Sequence, residues 1–254
     1  MKIAVVTGAS SGMGREFVRQ IDEKYKLDEI WAIARREDRL NEIKFKSVIP
    51  IRAIPLDLLR EKSIEYLKTL LEAEKPDVRI LVNAAGFGKI GTYRDLSLQE
   101  TNDMIDLNCK AAVDITIIAL PFMNKNARIL EVCSAASFQP LPGLNVYAAS
   151  KTFLHSYSRA LRWELMPRHI KVTAVCPDWV KTEFISVAKD TKNAHAVKHF
   201  PLAAKPEHVV SCALFDSAIG LPVSTYSIAF LHRFFAKFIP NEIIISFWEL
   251  LRRL

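Results

Sequence analysis

The chain has 254 residues, half of them hydrophobic, and a formal net charge of +7. This size and composition fit a domain with a sizeable core, and no linker, repeat or low-complexity tract interrupts it. The basic residues are scattered without aromatic interleaving, so nucleic-acid binding is not expected. The four cysteines show no metal-ligand or redox spacing, and His195 and His199 form an i, i+4 pair without a third ligand. No metal site is expected.

Strand-like and helix-like segments alternate along the chain. Apolar runs predict strands near residues 2–7, 29–34, 48–54, 78–82, 127–133 and 170–175, with a short last strand at 221–226. Helical patterns between them are typical of a parallel sheet covered on both faces. We expect an α/β fold, a doubly wound parallel sheet in a single domain over residues 1–254. A strand starting at residue 2 leaves no room for a cleaved signal peptide, so the cytoplasm is the expected location.

A glycine-rich turn separates the first predicted strand from the first predicted helix. Gly8 permits a tight turn, Gly12 lets the backbone approach a pyrophosphate, and Gly14 lets the helix pack closely on the strand. Phosphates would lie at the helix N-terminus, where free N–H groups and the helix dipole attract anions. This order of elements indicates a Rossmann-type dinucleotide site, with Gly8, Ser10, Ser11, Gly12, Met13 and Gly14 around the phosphates.

The second predicted strand ends at Ala34 and is followed by Arg35 and Arg36. An NAD site usually has an acidic residue near this point, which binds the ribose hydroxyls. Guanidinium groups instead suit a phosphate dianion, and Ser10 could add a hydroxyl contact. We therefore expect NADPH rather than NADH. The alternative is that the two arginines only begin a solvated basic helix.

Tyr147 and Lys151 lie at positions i and i+4 of a predicted helix, so their side chains share one face. An ammonium group favours the phenolate, so we expect Lys151 to lower the pKa of Tyr147. A hydroxyl from Ser134 could hold a substrate oxygen beside the phenol. This equipment predicts proton transfer to and from a carbonyl or alcohol oxygen.

With these motifs in view, the chain resembles the short-chain dehydrogenase/reductase family over most of its length. The glycine turn is similar to the family's TGxxxGxG motif, and Asp57 with Leu58 stands where the family contacts the adenine ring. Asn108 falls at the asparagine of the family's Asn-Ser-Tyr-Lys tetrad. A further match to the family's NAG motif, which supports the central sheet beside the cofactor, consists of Asn83, Ala84, Ala85 and Gly86.

The resemblance implies a role for each tetrad residue. Tyr147 would be the general acid in reduction and the general base in oxidation, and Lys151 would also bind the nicotinamide ribose. Ser134 would position the substrate oxygen and stabilise charge on it. Asn108 would bend its helix locally and hold a water that links Lys151 to solvent.

One loop departs from the family pattern. The family commonly has Pro-Gly after its sixth strand, followed by Val and Thr that contact the nicotinamide carboxamide. Pro177, Val180 and Thr182 are present, but Asp178 replaces the glycine. Since Asp tolerates positive φ better than most residues, we expect the loop to keep its course with a changed charge beside the substrate.

Two segments outside the motifs bear on the substrate and on partners. Residues 183–204 occupy the place of the family's substrate lid, and Phe184, Ile185 and Val187 could line an apolar pocket or simply pack a short helix. Two amphipathic helices are predicted over 227–254. Neither has the ~20 apolar residues that are needed to span a bilayer. This tail could pack on its own domain, form the interface of a homodimer or homotetramer, or lie peripherally on a membrane.

These expectations predict an NADPH-dependent carbonyl reductase, or alcohol dehydrogenase in reverse, for a medium-sized hydrophobic ketone or aldehyde of a steroid-like or acyl type. One alternative is a dinucleotide-binding regulatory or scaffold protein without turnover, against which the intact tetrad argues. Another is epimerase or dehydratase chemistry with bound NAD, which Arg35 and Arg36 make less attractive.

Overall fold

The computed structural model describes residues 1–197 and 203–253. Residues 198–202 of the predicted lid, with His199 among them, and residue 254 of the tail lie outside the described part. The sheet has seven parallel strands in the order β3-β2-β1-β4-β5-β6-β7. They are β1 Lys2–Thr7, β2 Glu29–Ala34, β3 Ile51–Pro55, β4 Asp77–Asn83, β5 Arg128–Val132, β6 Lys171–Val175 and β7 Val223–Ser224.

Ten α-helices lie within the described residues. They are α1 Gly12–Lys24, α2 Glu37–Lys44, α3 Glu61–Glu74, α4 Leu98–Ile105, α5 Ala111–Ala119, α6 Asn145–Glu164, α7 Phe184–Lys189, α8 Pro206–Ile219, α9 Ala229–Phe235 and α10 Asn241–Arg253. A π-helical turn over Asp106–Lys110 joins α4 to α5. None of the helices in the described ranges combines the length and apolar character needed to cross a bilayer.

The two faces of the sheet have separate cores, because successive strand side chains point to opposite faces. On β1, Ala4 and Val6 face α1, α2 and α8, whereas Ile3 and Val5 face α3, α5 and α6. Helices on both faces of a parallel sheet confirm the doubly wound α/β fold. The strand order reverses between β1 and β4, and ligands bind such folds at that point, outside the carboxyl ends of the strands.

The predicted strands are all present, with small differences at their ends. β3 begins at Ile51 rather than at residue 48, because the backbone N–H groups of Val48 and Ile49 donate to the Asp22 carboxylate on α1, at 3.1 and 2.6 Å. β7 is limited to Val223–Ser224, and its predicted second residue is a proline, which has no N–H to donate.

Candidate active site

A cleft crosses the carboxyl ends of the strands and contains a cavity of about 390 Å³. Most residues predicted from the sequence line it, although they come from loops far apart in the chain. The lining includes Gly8, Ser10, Ser11, Gly12, Met13, Gly14, Arg35, Arg36, Asp57, Leu58, Ala84, Ala85, Gly86, Ser134, Tyr147, Pro177, Val180 and Thr182. The side chains of three other predicted residues, Asn83, Asn108 and Lys151, lie beneath this lining.

The glycine turn brings the backbone of β1 against that of β4. Gly8 has a φ of +67°, and a Cβ there would lie 2.9 Å from the backbone of Ala84. The Thr7 hydroxyl accepts hydrogen bonds from the N–H groups of Ala84 and Ala85, both at 3.0 Å. Gly12 also has a positive φ, +53°, and faces Thr182 across the cleft. The turn therefore forms a cradle in which the glycines leave the backbone uncovered, which fits the pyrophosphate of a dinucleotide.

A basic corner closes the end of the cleft beside β2. Nε and Nη2 of Arg36 both lie 3.3 Å from the Ser10 hydroxyl, as expected if the two residues bind one phosphate. Arg35 is exposed at the edge of the same cavity. Two further residues of this corner, Arg39 and Glu183, were not predicted as site residues. The Glu183 carboxylate accepts from Arg39 at 2.7 Å and from Arg36 at 2.9 Å. Arg39 lies three residues after Arg36, in the first turn of α2, and this closeness in sequence was a signal for it.

Ser134 and Tyr147 meet at the inner end of the cleft. The Ser134 hydroxyl hydrogen-bonds the Tyr147 phenol, and only 7% of Tyr147 is exposed. Burial raises the pKa of Tyr147 to about 12, while the hydrogen bond from Ser134 acts in the opposite direction. The phenol therefore keeps its proton at neutral pH.

The expectation that Lys151 lowers the pKa of Tyr147 is wrong for this structure. The Lys151 ammonium donates a 2.7 Å hydrogen bond to the carbonyl of Val132, and it lies 6.0 Å from the centre of the Tyr147 ring. Burial also lowers the pKa of Lys151. The two side chains share a helix face as predicted, but burial is the largest cause of the pKa shift of each.

Asn108 lies in the π-helical turn between α4 and α5, which agrees with the expected local bend of this helix. Its amide nitrogen donates to the Phe87 carbonyl at 2.8 Å and to the Ser150 hydroxyl at 3.0 Å. Its amide oxygen accepts from the N–H of Phe87 at 3.0 Å. Asn108 thus holds the loop after β4 against the helix that carries Tyr147 and Lys151.

The side chain of Asn83, a residue predicted to bind the cofactor, does not line the cavity. Its amide nitrogen donates to the carboxylate of Glu131 at 3.0 Å and to the hydroxyl of Thr116 at 2.9 Å, beneath the sheet. Period-two alternation explains this, because the last side chain of β4 faces α5 while the backbone continues toward the cleft. Only Ala84, Ala85 and Gly86 of this motif line the cavity.

The loop after β6 keeps its expected course, although not for the expected reason. Asp178 does not adopt a positive φ, so no glycine conformation is required there. The N–H of Ala135 donates to the Pro177 carbonyl at 2.7 Å and anchors the loop beside Ser134. Burial raises the pKa of Asp178, and nearby His232, which also lines the cavity, acts in the opposite direction.

The other walls of the cavity are apolar. Phe184 packs against Tyr147 with ring centroids 5.3 Å apart, and Val187 also lines the cavity, whereas Ile185 does not. Trp248 of α10 is a lining residue that the motifs gave no reason to choose. Its indole N–H donates to the Pro142 carbonyl at 2.8 Å, so one face of the tail packs on its own domain.

The comparisons with known proteins agree with this geometry. The family model for short chain dehydrogenase matches residues 2–193, about three quarters of the chain. This chain belongs to the short-chain dehydrogenase family. Like other members, this dehydrogenase is an oxidoreductase that acts on CH–OH and C=O groups with a nicotinamide cofactor.

Three relatives show how far the likeness extends. An NADP-dependent 3-hydroxy acid dehydrogenase from Escherichia coli K12 is 31% identical over 229 residues, 87% of this chain and 91% of that one. A short-chain dehydrogenase from Sphingobium yanoikuyae, solved with NADPH, is 23% identical, with a TM-score of 0.78 over 97% and 96% of the two chains. A 4-hydroxyisoleucine dehydrogenase solved with NADH is 24% identical, with a TM-score of 0.71 over 85% and 90%.

Proposed function

We propose that this short-chain dehydrogenase is an NADPH-dependent carbonyl reductase for a medium-sized hydrophobic ketone or aldehyde. The observation that carries the proposal is the hydrogen-bonded pair of Ser134 and Tyr147 at the inner end of a cleft whose outer end holds Ser10 and Arg36. NADPH, when bound, supplies the hydride, and the protein supplies the proton and the orientation.

Tyr147 is the proton donor in this proposal. Its raised pKa keeps the phenol protonated at neutral pH, so it can donate to a carbonyl oxygen as hydride arrives at the carbon. The Ser134 hydroxyl donates a second hydrogen bond to the same oxygen and stabilises the charge that develops on it. Lys151 donates to the Val132 carbonyl and lies beneath Gly86, and in this proposal it binds the nicotinamide ribose. Asn108 holds the loop after β4 against α6, the helix that carries Tyr147 and Lys151.

The 3-hydroxy acid dehydrogenase is NADP-dependent, whereas the 4-hydroxyisoleucine dehydrogenase was solved with NADH. The argument for NADPH therefore comes from this chain's own residues. Arg36 and Ser10 form a phosphate-binding pair at the end of β2, and Ala34 stands where an acid-type ribose contact would be needed. Arg36→Ala should weaken NADPH binding far more than NADH binding. Equal losses of both affinities would contradict the assignment of the 2′-phosphate.

The class of substrate is inferred from the walls of the cavity. Leu141, Leu144 and Trp248 present apolar surface, and the Phe184 ring packs at a tilt against the ring of Tyr147. Gln139, Asp178 and His232 are polar exceptions. A cavity of this kind suits a substrate with an apolar body and one polar group away from its carbonyl.

Tyr147→Phe tests the reductase proposal directly. The variant should bind NADPH with unchanged affinity and lose turnover by about 10³-fold or more against a panel of steroid, aliphatic and aromatic ketones and aldehydes. Tyr157→Phe is the matched control, because it removes a partly buried phenol of the same helix that does not line the cavity. Turnover by Tyr147→Phe would remove the phenol from the mechanism. Tight NADPH binding by a wild-type protein that reduces no carbonyl would favour the regulatory alternative.

The tail adds a proposal about partners. Phe230 and Phe234 of α9, Phe238 after it and Phe247 of α10 are all more than half exposed, and exposed Lys237 lies among them. Aromatic and basic side chains together suit an anionic membrane surface, which would deliver a lipophilic substrate beside Trp248. Co-sedimentation with phosphatidylcholine vesicles containing phosphatidylglycerol should be lost in Phe234→Ser. A dimer or tetramer that dissociates in this variant, without vesicle binding, would instead assign the face to a homo-oligomer.

A further inference from the structure

The carboxylate of Glu183 bridges two arginines from the opposite side of the cofactor cleft. Its two oxygens lie 2.9 Å from Nη2 of Arg36 and 2.7 Å from Nη1 of Arg39. Glu183 follows the loop after β6, whereas the arginines follow β2, and both Arg36 and Glu183 line the cavity. An acidic side chain therefore crosses the cleft and reaches the basic corner.

The position of this carboxylate is that of an anion in a built subsite. Nε and Nη2 of Arg36 both lie 3.3 Å from the Ser10 hydroxyl, and the same Nη2 also donates to the Glu183 carboxylate. Arg39 approaches the second carboxylate oxygen, so the two guanidinium groups converge on one negative group. Hydrogen bonds from Arg36 and then Arg39 lower the pKa of Glu183, which keeps the carboxylate charged.

We propose that Glu183 occupies the subsite of the cofactor 2′-phosphate and competes with it, so that Glu183 sets how strongly the protein prefers NADPH over NADH. The inference depends on the proposed function only in assigning the 2′-phosphate to Arg36, and it adds Arg39 as a second phosphate contact.

Charge and exposure both favour replacement of the Glu183 carboxylate by the cofactor 2′-phosphate. A phosphate monoester carries a charge of about −1.5 to −2 at neutral pH, against −1 for a carboxylate, so it binds the paired guanidinium groups more strongly. All three side chains are about 40% exposed, and ion pairs at such sites contribute little and are readily replaced. Glu183 would then leave the arginines while the following helix α7 keeps Phe184 on Tyr147.

Titration calorimetry with 2′,5′-ADP and with 5′-ADP tests the inference without turnover. Glu183→Gln should bind 2′,5′-ADP about three- to tenfold more tightly than the wild type, because a surface ion-pair competitor is removed, and should bind 5′-ADP unchanged. Glu37→Gln is the matched control: it removes the same charge next to Arg36, and Glu37 forms no ion pair within the described ranges. It should shift both affinities less than twofold. Arg39→Ala should weaken 2′,5′-ADP alone.

Three results would overturn the competition. They are an unchanged or weaker affinity of Glu183→Gln for 2′,5′-ADP, an equal gain for both probes, and an equal gain in the Glu37→Gln control. The cofactor assignment fails separately, if the wild type binds NADH as tightly as NADPH. A preference for NADPH that appears only in Glu183→Gln would support the competition and overturn the wild-type cofactor preference.

Discussion

Glu131→Gln should stabilise this protein at alkaline pH and change little at acid pH. Glu131 lies on β5 and is completely buried; one carboxylate oxygen accepts from Asn83 and Thr116, both at 3.0 Å. The other oxygen, and the amide oxygen of Asn83, have no hydrogen-bond partner within the described residues. A buried carboxylate with an unpaired oxygen is costly when it is charged, whereas a glutamine amide of nearly the same shape carries no charge.

The magnitude follows from the pKa of Glu131, which burial raises from 4.5 to about 7, against hydrogen bonds from Asn83 and Thr116 and the charge of Lys151. Below pH 4.5 both the folded and the unfolded chain hold the proton, so the folded state carries no penalty. Between pH 4.5 and 7 only the folded chain holds it, so the free energy of unfolding falls as pH rises. Above pH 7 the loss levels off at about 3 kcal/mol, since each pKa unit corresponds to about 1.4 kcal/mol.

Urea unfolding at pH 5 and pH 8 measures this difference. The gain in Glu131→Gln should be about 1 kcal/mol at pH 5 and about 3 kcal/mol at pH 8, equivalent to a rise in Tm of about 6–12 °C at pH 8. Glu37→Gln, an exposed change of the same kind, should show no such pH dependence. A gain of equal size at both pH values, or a loss at pH 8, would refute the reasoning from burial.

Three further outcomes are expected. Because the pKa of Tyr147 is about 12, alcohol oxidation should speed up about tenfold per pH unit from pH 7 to 10, while carbonyl reduction stays flat; a plateau in oxidation near pH 8 would show a lower pKa. Trp248→Ala removes both a cavity wall and the hydrogen bond to Pro142, so KM for bulky ketones should rise about tenfold with NADPH affinity unchanged. Gly88→Ala places a Cβ 2.8 Å from the Tyr147 ring and 2.9 Å from Phe184, so kcat should fall at least tenfold, which single-turnover kinetics would detect.

The sheet and the cofactor half of the cleft were predictable because they depend on local patterns. Apolar runs gave all seven strands, and each carboxyl end then placed a motif at the same edge of the sheet. The start of β3 was missed because Asp22, a residue distant in sequence, binds the backbone of Val48 and Ile49. A contact of that kind leaves no periodicity in the strand itself.

Electrostatics within the site were harder to predict than positions. The i, i+4 spacing correctly put Tyr147 and Lys151 on one face, but it carried no information about desolvation. In the structure, burial dominates the pKa of both groups, and Val132 takes the ammonium as its hydrogen-bond partner. The partners of the Asn83 side chain were not predictable for a related reason, since Glu131 lies on another strand.

The substrate half of the cleft depends on a segment that no motif describes. Trp248 reaches the cavity from α10, more than a hundred residues beyond the Pro142 carbonyl that it contacts, and His232 reaches it from α9. The positions of these two side chains depend on how the tail folds back onto the domain. Amphipathic periodicity predicts the helices of the tail but not the surface on which they pack. Changes confined to α9 and α10 should therefore alter which carbonyl compounds are reduced, while the cradle around Gly8 and the pair of Ser134 and Tyr147 keep the reaction type unchanged.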